Sequence, residues 1–236
     1  IHAATMVAAG VFLVARTMPL FMHSADAATL VAIIGGFTAI FAASMGLVMN
    51  DIKRVIAYST ISQLGYMMLA LGTGALAIIG LGKTNKPETE LLGIAVTIGI
   101  FHLFNHAFFK ALLFLGAGSV NHATGTFDMR LMGGLRKSLP WTSTLFFIAA
   151  LSLAGIWPLA GFWSKDEILA QAWGQQKLVF FLAMITVFMT AFYIFRAYFM
   201  TFSGKYRGGE AAAVHAPSKV ARPPSHGTVA ERHSAV

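Results

Sequence analysis

Long apolar stretches separated by short polar ones run along most of the 236-residue chain. None alternates apolar and polar residues as barrel strands do, and in lipid a helix satisfies its own backbone hydrogen bonds. The pattern predicts an all-α polytopic membrane protein with about six transmembrane helices, followed by a polar, flexible tail over 204–236. The stretches that have or nearly have the roughly 20 apolar residues needed to span a bilayer are 1–22, 28–49, 54–80, 92–118, 141–170 and 178–202.

The stretch 141–170 contains residues that interrupt helices, namely Gly155, Pro158 and Gly161. Proline lacks a backbone N–H, and the two glycines loosen the turns beside it. A charged group follows directly and consists of Lys165, Asp166 and Glu167. The residues alone allow a discontinuous membrane helix with an ion site at its break. They also allow a helix that ends at Trp163 before a solvated loop, and they favour this second arrangement.

Composition and charge narrow the function classes. Only 11% of residues are charged, against about a quarter in soluble domains. The chain has no cysteine, which excludes disulfides, thiolate-bound zinc and cysteine-bound iron–sulfur clusters. The net charge of +8 resides mainly in two loops and the tail, which argues against a nucleic-acid surface and places the tail in the cytoplasm. Because Ile1 lies inside an apolar run, we expect a piece of a longer protein.

The candidate chemistry is concentrated in the segment FHLFNHAFFKALLFLG, residues 101–116. His102, His106 and Lys110 follow one another at four-residue intervals, so they form one stripe about 12 Å long on a helix. Ionisable groups at that depth usually face a bundle interior or a wet cavity. The stripe allows a metal site, a proton path or a polar seam that holds helices together.

Metal binding is the weakest of these three interpretations. No Asp or Glu occurs between Leu91 and Asp128 to complete a ligand shell, and the cation of Lys110 would oppose a metal ion. We therefore expect no metal site. Histidine can pass a proton through its two nitrogens, and a lysine held away from water releases its proton more readily than one in solution. The stripe thus favours a proton relay.

Further polar groups lie inside the apolar stretches or at their ends. His2 lies near the start of the chain. Lys53 opens the third stretch, where it is either a boundary charge that anchors a helix end or a member of the relay. Ser59 and Thr60 lie further along the same stretch and could hold water.

Several segments together resemble the antiporter-like subunits of respiratory complex I, most closely the L-type (NuoL- or NdhF-like) subunits. They are IHAATMVAAGVFLVAR, DIKRVIAYSTISQLGYM, FHLFNHAFFKALLFLGAGSV, MGGLRKSLP and GFWSKDEIL. The resemblance implies a fold of two inverted five-helix repeats, each with a broken helix. Residues 1–22 would be the last helix of the first repeat, and 28–203 the second repeat with its break around 155–165.

The resemblance also implies proton translocation within an NADH (or related donor):quinone oxidoreductase. The implied relay comprises His2, Lys53, His102, His106, Lys110 and Lys165, with Asp166 and Glu167 beside the last. The resemblance also implies a broken membrane helix over 141–170, in place of the solvated loop that the residues alone favour. NADH, FMN, iron–sulfur clusters and quinone would belong to partner subunits, with no catalytic redox site in this chain. The expected partners are other membrane subunits, especially a neighbouring antiporter-like one, in a bacterial inner or thylakoid-type membrane. An Mrp-type Na⁺/H⁺ antiporter subunit is the alternative.

Overall fold

The computed structural model describes residues 6–81 and 88–208, and helices account for most of them. In chain order these are α1 Ala9–Arg16, α2 Met18–Phe21, α3 Ala25–Val48, α4 Ile52–Leu81, α5 Glu88–Thr124, α6 Pro140–Ala154, α7 Ala160–Gln175 and α8 Lys177–Phe202. Four helices, α3, α4, α5 and α8, are long and apolar enough to cross a membrane. The predicted all-α membrane fold is confirmed.

Two of the predicted stretches differ from the helices that the structure contains. A single helix is predicted over 1–22, but its described part is divided into α1 and α2 at Thr17. Pro19 lies in the first turn of α2, where the missing N–H is tolerated because a new helix starts there. Helix α5 is 37 residues long and exceeds its predicted bounds at both ends. Polar residues at helix ends outside the bilayer continue a helix without adding to the apolar pattern.

The stretch 141–170 forms two half-length helices, α6 and α7, so the predicted discontinuous helix is confirmed. Gly155 ends α6 in the left-handed conformation, with φ of 80°, which a side chain would strain. The expectation of a solvated loop after Trp163 is wrong, because Ser164 and Lys165 are buried within α7. Gly161 explains this packing, since an added Cβ would overlap the carbonyl of Ser152 on α6.

Helices α3 and α4 approach each other backbone to backbone. A Cβ added at Gly65 would lie 2.7 Å from Ala39 N and from Gly35 O. Small residues permit such close contact between membrane helices, where lipid offers no hydrophobic force for association. Helix α4 also contacts α5, α7 and α8. Its polar side chains on that other side therefore enter the centre of the bundle.

One end of the bundle is held together by loop contacts. The backbone N–H of Ile52 donates to Phe127 O at 3.0 Å, and that of Met129 donates to Asn50 O at 2.9 Å. The guanidinium of Arg196, near the end of α8, donates to Met49 O at 2.7 Å and to Asn50 Oδ1 at 2.5 Å. These contacts fix the start of α4 and the ends of α5 and α8 relative to one another, and we refer to this region as the anchored end.

Candidate functional site: a buried polar column

The centre of the bundle contains a column of polar side chains from α4, α5, α7 and α8. Helix α5 contributes His102, His106 and Lys110, whose exposed fractions are 0%, 1% and 0%. The four-residue spacing puts all three on the face of α5 that packs against α4 and α7. The sequence-predicted stripe therefore faces the bundle interior, where burial of ionisable groups requires polar partners.

His102 is held between α4 and α7. Its Nε2 lies 3.0 Å from Gln63 Oε1, and its Nδ1 lies 2.8 Å from Ser164 Oγ. Because an amide oxygen only accepts, Nε2 donates, and in the neutral ring Nδ1 accepts from the serine hydroxyl. In the charged ring Nδ1 donates to Ser164, which is free to donate to Ala160 O at 3.3 Å. Both protonation states of His102 thus have satisfied hydrogen bonds.

His106 differs from its neighbour in having an unsatisfied nitrogen. Its Nε2 is buried and has no hydrogen-bond partner in the described part of the chain. The ring packs edge-on against Phe109, with 5.4 Å between centroids, and lies 6.5 Å from the ring of His102. An unpaired buried nitrogen is costly for a structural residue. The free Nε2 can accept a proton, or a hydrogen bond from a water molecule.

Lys110 extends the column towards α4 and α8. Its Nζ donates to Ser59 Oγ at 2.7 Å and to Ile56 O at 3.4 Å. Ser59 Oγ also accepts a hydrogen bond from the hydroxyl of Tyr193 on α8, at 2.8 Å. Hydroxyls and a carbonyl surround the amine, so both the charged and the neutral lysine can form hydrogen bonds here.

Lys165 lies on α7 directly beside the helix break. Its Nζ donates to Leu153 O, one of the carbonyls that the end of α6 leaves without an intrahelical partner. A helix C-terminus carries partial negative charge, which favours a cation. Gly155 leaves room for the side chain, because an added Cβ would lie 3.2 Å from Lys165 Cδ. The break in the helix thus supplies the acceptor for this lysine.

The column contains two lysines and no compensating acid. Among the described residues no Asp or Glu is buried. Lys110 and Lys165 are both buried, with exposed fractions of 0% and 3%. Since a buried charge without a counterion is strongly disfavoured, the arrangement opposes charging both lysines at once. A proton on one lysine therefore lowers the stability of a proton on the other.

Other residues singled out from the sequence lie away from this column. Lys53 is exposed at the start of α4, with its Nζ 5.5 Å from the centre of the Phe127 ring. Thr60 is buried but donates to Ile56 O of its own helix at 3.0 Å. Asp166 and Glu167 are exposed on the outer side of α7. His2 lies outside the described residues.

Sequence reasoning did not predict the contacts that three residues make with the column, namely Gln63, Ser164 and Tyr193. Gln63 and Ser164 are polar residues whose contacts depend on how α4 and α7 pack. Tyr193 had a local signal, because Thr186, Thr190 and Tyr193 follow at intervals of four and three and so share one face of the apolar α8. In the described part of the chain, no three His, Asp or Glu side chains come together as metal ligands would.

The fold and the column define a polytopic helical membrane protein with a discontinuous helix and buried ionisable groups. Residues 1–82 and 91–190 match the family described as NADH:quinone oxidoreductase/Mrp antiporter, TM. The chain belongs to this family and is an integral membrane protein.

Two curated relatives are each 51% identical to the chain. One is NAD(P)H-quinone oxidoreductase subunit 5, organellar chromatophore 1, of Paulinella chromatophora, which aligns over 90% of the chain and 30% of the relative. The other is F(420)H(2) dehydrogenase subunit L of Methanosarcina mazei, with 91% and 32%. The resemblance to L-type subunits is confirmed, and the chain spans about a third of the length of these relatives.

A solved structure has a similar fold. It is that of the Mrp complex from a Dietzia species, with a TM-score of 0.65 and 24% identity over 76% of this chain and 30% of the other. At this identity the likeness concerns the fold alone.

Proposed function

We propose that this chain is part of a proton-translocating membrane subunit of an NAD(P)H:quinone oxidoreductase or a related quinone reductase. The observation that carries the proposal is the buried column, in which two histidines and two lysines lie among hydroxyl and carbonyl groups without a buried acid in the described residues. The family and the relative named as a subunit of an NAD(P)H-quinone oxidoreductase support the proposal. Redox chemistry would take place on partner subunits that hold NADH or a related donor, FMN, iron–sulfur clusters and quinone.

In the proposed mechanism, protons move along α5 between His102, His106 and Lys110. His102 is bonded in either protonation state, and the free Nε2 of His106 offers the next acceptor. Lys110 stores the proton. Charging of Lys165 at the helix break would then repel the charge on Lys110, because like charges repel strongly in a poorly solvated interior, and this would promote transfer of the proton. Alternate charging of the two lysines would thus couple proton movement at Lys110 on α5 to proton movement at Lys165 on α7.

The resemblance to L-type subunits adds further members to the proposed relay. His2 would link this column to an upstream half-channel, and Asp166 and Glu167 would contact protein or water, because lipid does not accommodate carboxylates. Lys53 would act at the membrane surface. The neighbouring partner would be another antiporter-like subunit in a bacterial inner or thylakoid-type membrane, with the tail in the cytoplasm.

The residues of this chain do not specify which electron donor the complex uses. The two relatives are named for different donors, NAD(P)H and F(420)H(2), yet each is 51% identical to the chain. A column that serves both types of complex would respond to electron transfer on partner subunits and not to the donor itself. This agrees with the assignment of all redox groups to partner subunits.

The test is to replace Lys110 or Lys165 with alanine in the complete subunit within its membrane complex. Membrane vesicles energised by the complex's own donor and quinone would report protons moved per electron. We expect both variants to lower this ratio. Lys177→Ala is the matched control, because Lys177 lies at the start of α8 with its Nζ 3.2 Å from the centre of the Trp173 ring. An unchanged ratio in both column variants would refute the proposed roles.

An Mrp-type Na⁺/H⁺ antiporter subunit is the second candidate, favoured by the description of the family, which includes the Mrp antiporter. The two candidates differ in what drives the protons. A quinone reductase subunit moves protons only while electrons flow, whereas an antiporter exchanges them for sodium without redox partners. Proton movement that follows an imposed sodium gradient in the absence of donor and quinone would establish the second candidate.

A further inference from the structure

Tyr193 shares a single hydroxyl with Lys110. Ser59 Oγ lies 2.7 Å from Lys110 Nζ and 2.8 Å from the hydroxyl of Tyr193. All three side chains are fully buried. They come from three different helices, α5, α4 and α8, so the contact exists only in the packed bundle.

The hydrogen bonds continue along α8. The Tyr193 hydroxyl lies 3.4 Å from Thr190 Oγ1, and Thr190 donates to Thr186 O at 2.7 Å. A file of three hydroxyls therefore connects the amine of Lys110 to a backbone carbonyl. Each hydroxyl can both donate and accept, so the direction of the file is set by the group at its amine end.

The file has one arrangement for each protonation state of Lys110. In the structure Tyr193 donates to Ser59. When the lysine is charged and donates to Ser59, rotation of the two hydroxyls lets Ser59 donate to Tyr193 and Tyr193 to Thr190, so that every O–H dipole in the file points away from the ammonium. Aligned hydrogen bonds reinforce one another and stabilise the charge. When the lysine is neutral, Tyr193 donates to Ser59, and Ser59 donates to the lone pair on Nζ.

We propose that Tyr193 is a positioning residue for Lys110, which stabilises the protonated lysine through Ser59 and reverses its hydrogen bond when the proton leaves. This proposal rests on the proposed role of Lys110 in proton transfer. In the described part of the chain no buried acid is present to balance the lysine, so the hydroxyl file takes the place of a counterion.

Titratable and polar groups from several helices surround Lys110. Helix α5 itself presents His106 and His102, and α7 presents Lys165. Helix α4 contributes the uncharged Ser59 and the carbonyl of Ile56, and α8 contributes Tyr193. Removal of the Tyr193 hydroxyl leaves all these charges in place, so its effect can be separated from theirs.

The test is Tyr193→Phe in the complete subunit within its complex, with the pH profile of proton pumping as the readout. Loss of the file destabilises the charged lysine, so we expect the alkaline limb of the profile to move to lower pH by about 0.5–1 unit. Tyr198→Phe is the matched control, because Tyr198 is a buried tyrosine of the same helix whose hydroxyl lies 3.1 Å from Ser143 Oγ. We expect its profile to match the unmodified complex.

Ser59→Ala interrupts the same file from α4 and is expected to shift the profile in the same direction, and by more, because Ser59 also accepts directly from Lys110. In the double variant, Tyr193→Phe should add no further shift. A profile that stays in place in Tyr193→Phe and Ser59→Ala, while Lys110→Ala lowers pumping, would overturn the role of Tyr193 and leave the proposed function standing. If Lys110→Ala itself pumps normally, the proposed function has failed.

Discussion

Replacement of Gly161 by alanine tests whether the close contact between α6 and α7 positions Lys165. Gly161 lies in the first turn of α7, against the backbone of Ser152 on α6. An added Cβ would overlap the Ser152 carbonyl oxygen and lie 2.7 Å from its carbonyl carbon. Both neighbours are backbone atoms, so the two helices must separate to accept the methyl group.

The cost follows from two contributions. Carbon atoms in favourable contact are about 3.5–4.0 Å apart, so the helices must move apart by roughly 1 Å. Overpacking of this kind costs about 1–3 kcal/mol. The movement also pulls Lys165 away from its acceptor, Leu153 O, and a hydrogen bond to a charged group contributes about 1.5–3 kcal/mol. Together the two contributions give an expected loss of about 2.5–6 kcal/mol, with lower proton pumping.

The assay compares thermal unfolding of the purified complex, and proton pumping in vesicles, between Gly161→Ala and Gly174→Ala. Gly174 belongs to the same helix, but an added Cβ there meets nothing within 4 Å. Alanine at Gly174 should be neutral or stabilise α7 by up to about 1 kcal/mol. If the two variants unfold at the same temperature and pump equally, the helix contact does not position Lys165 and the reasoning is refuted.

Three further variants test other parts of the structure. Gly65→Ala should lower subunit stability by about 1–3 kcal/mol, because its Cβ would lie 2.7 Å from backbone atoms of α3. Gly80→Ala is the control, because the space around Gly80 is open. Equal thermal unfolding of the two variants would contradict this prediction. His106→Phe should keep stability within about 1 kcal/mol, since Nε2 has no partner in the described residues, yet it should lower proton pumping in vesicles. Normal pumping in His106→Phe would favour a polar seam that only holds the helices together. Arg196→Ala removes two hydrogen bonds at the anchored end and should cost about 2–3 kcal/mol in thermal unfolding. The exposed Arg54 is its control, and equal effects of the two alanine variants would disprove the anchoring role.

The sequence was sufficient to predict the features that depend on a single helix. The four-residue spacing on α5 predicted that His102 and Lys110 share one face, and the structure places both in the bundle interior. The apolar lengths predicted the membrane fold, because a bilayer imposes a fixed thickness.

Features that depend on contacts between helices were harder to predict. Local residues favoured a loop around Lys165, because the acceptor that holds the lysine inside the protein belongs to α6. Tyr193 was missed because Ser59 and Lys110 meet it only when α4, α5 and α8 pack together. Lys53 could be a surface anchor or a relay member by sequence, and its exposure follows from its position in the first turn of α4.

The backbone contact between α3 and α4 has a consequence for motion in the protein. With Gly35 and Gly65 at the interface, few side chains separate these helices, so rotamer changes cannot let them slide past one another. The pair forms a stationary wall behind the column. Helix α7 is joined to α6 by a short turn and is separate from this close backbone contact, so we expect it to be the element that moves when the charge on Lys165 changes. Slow amide exchange in α3 and α4, and faster exchange at the start of α7, would be the signature of this division.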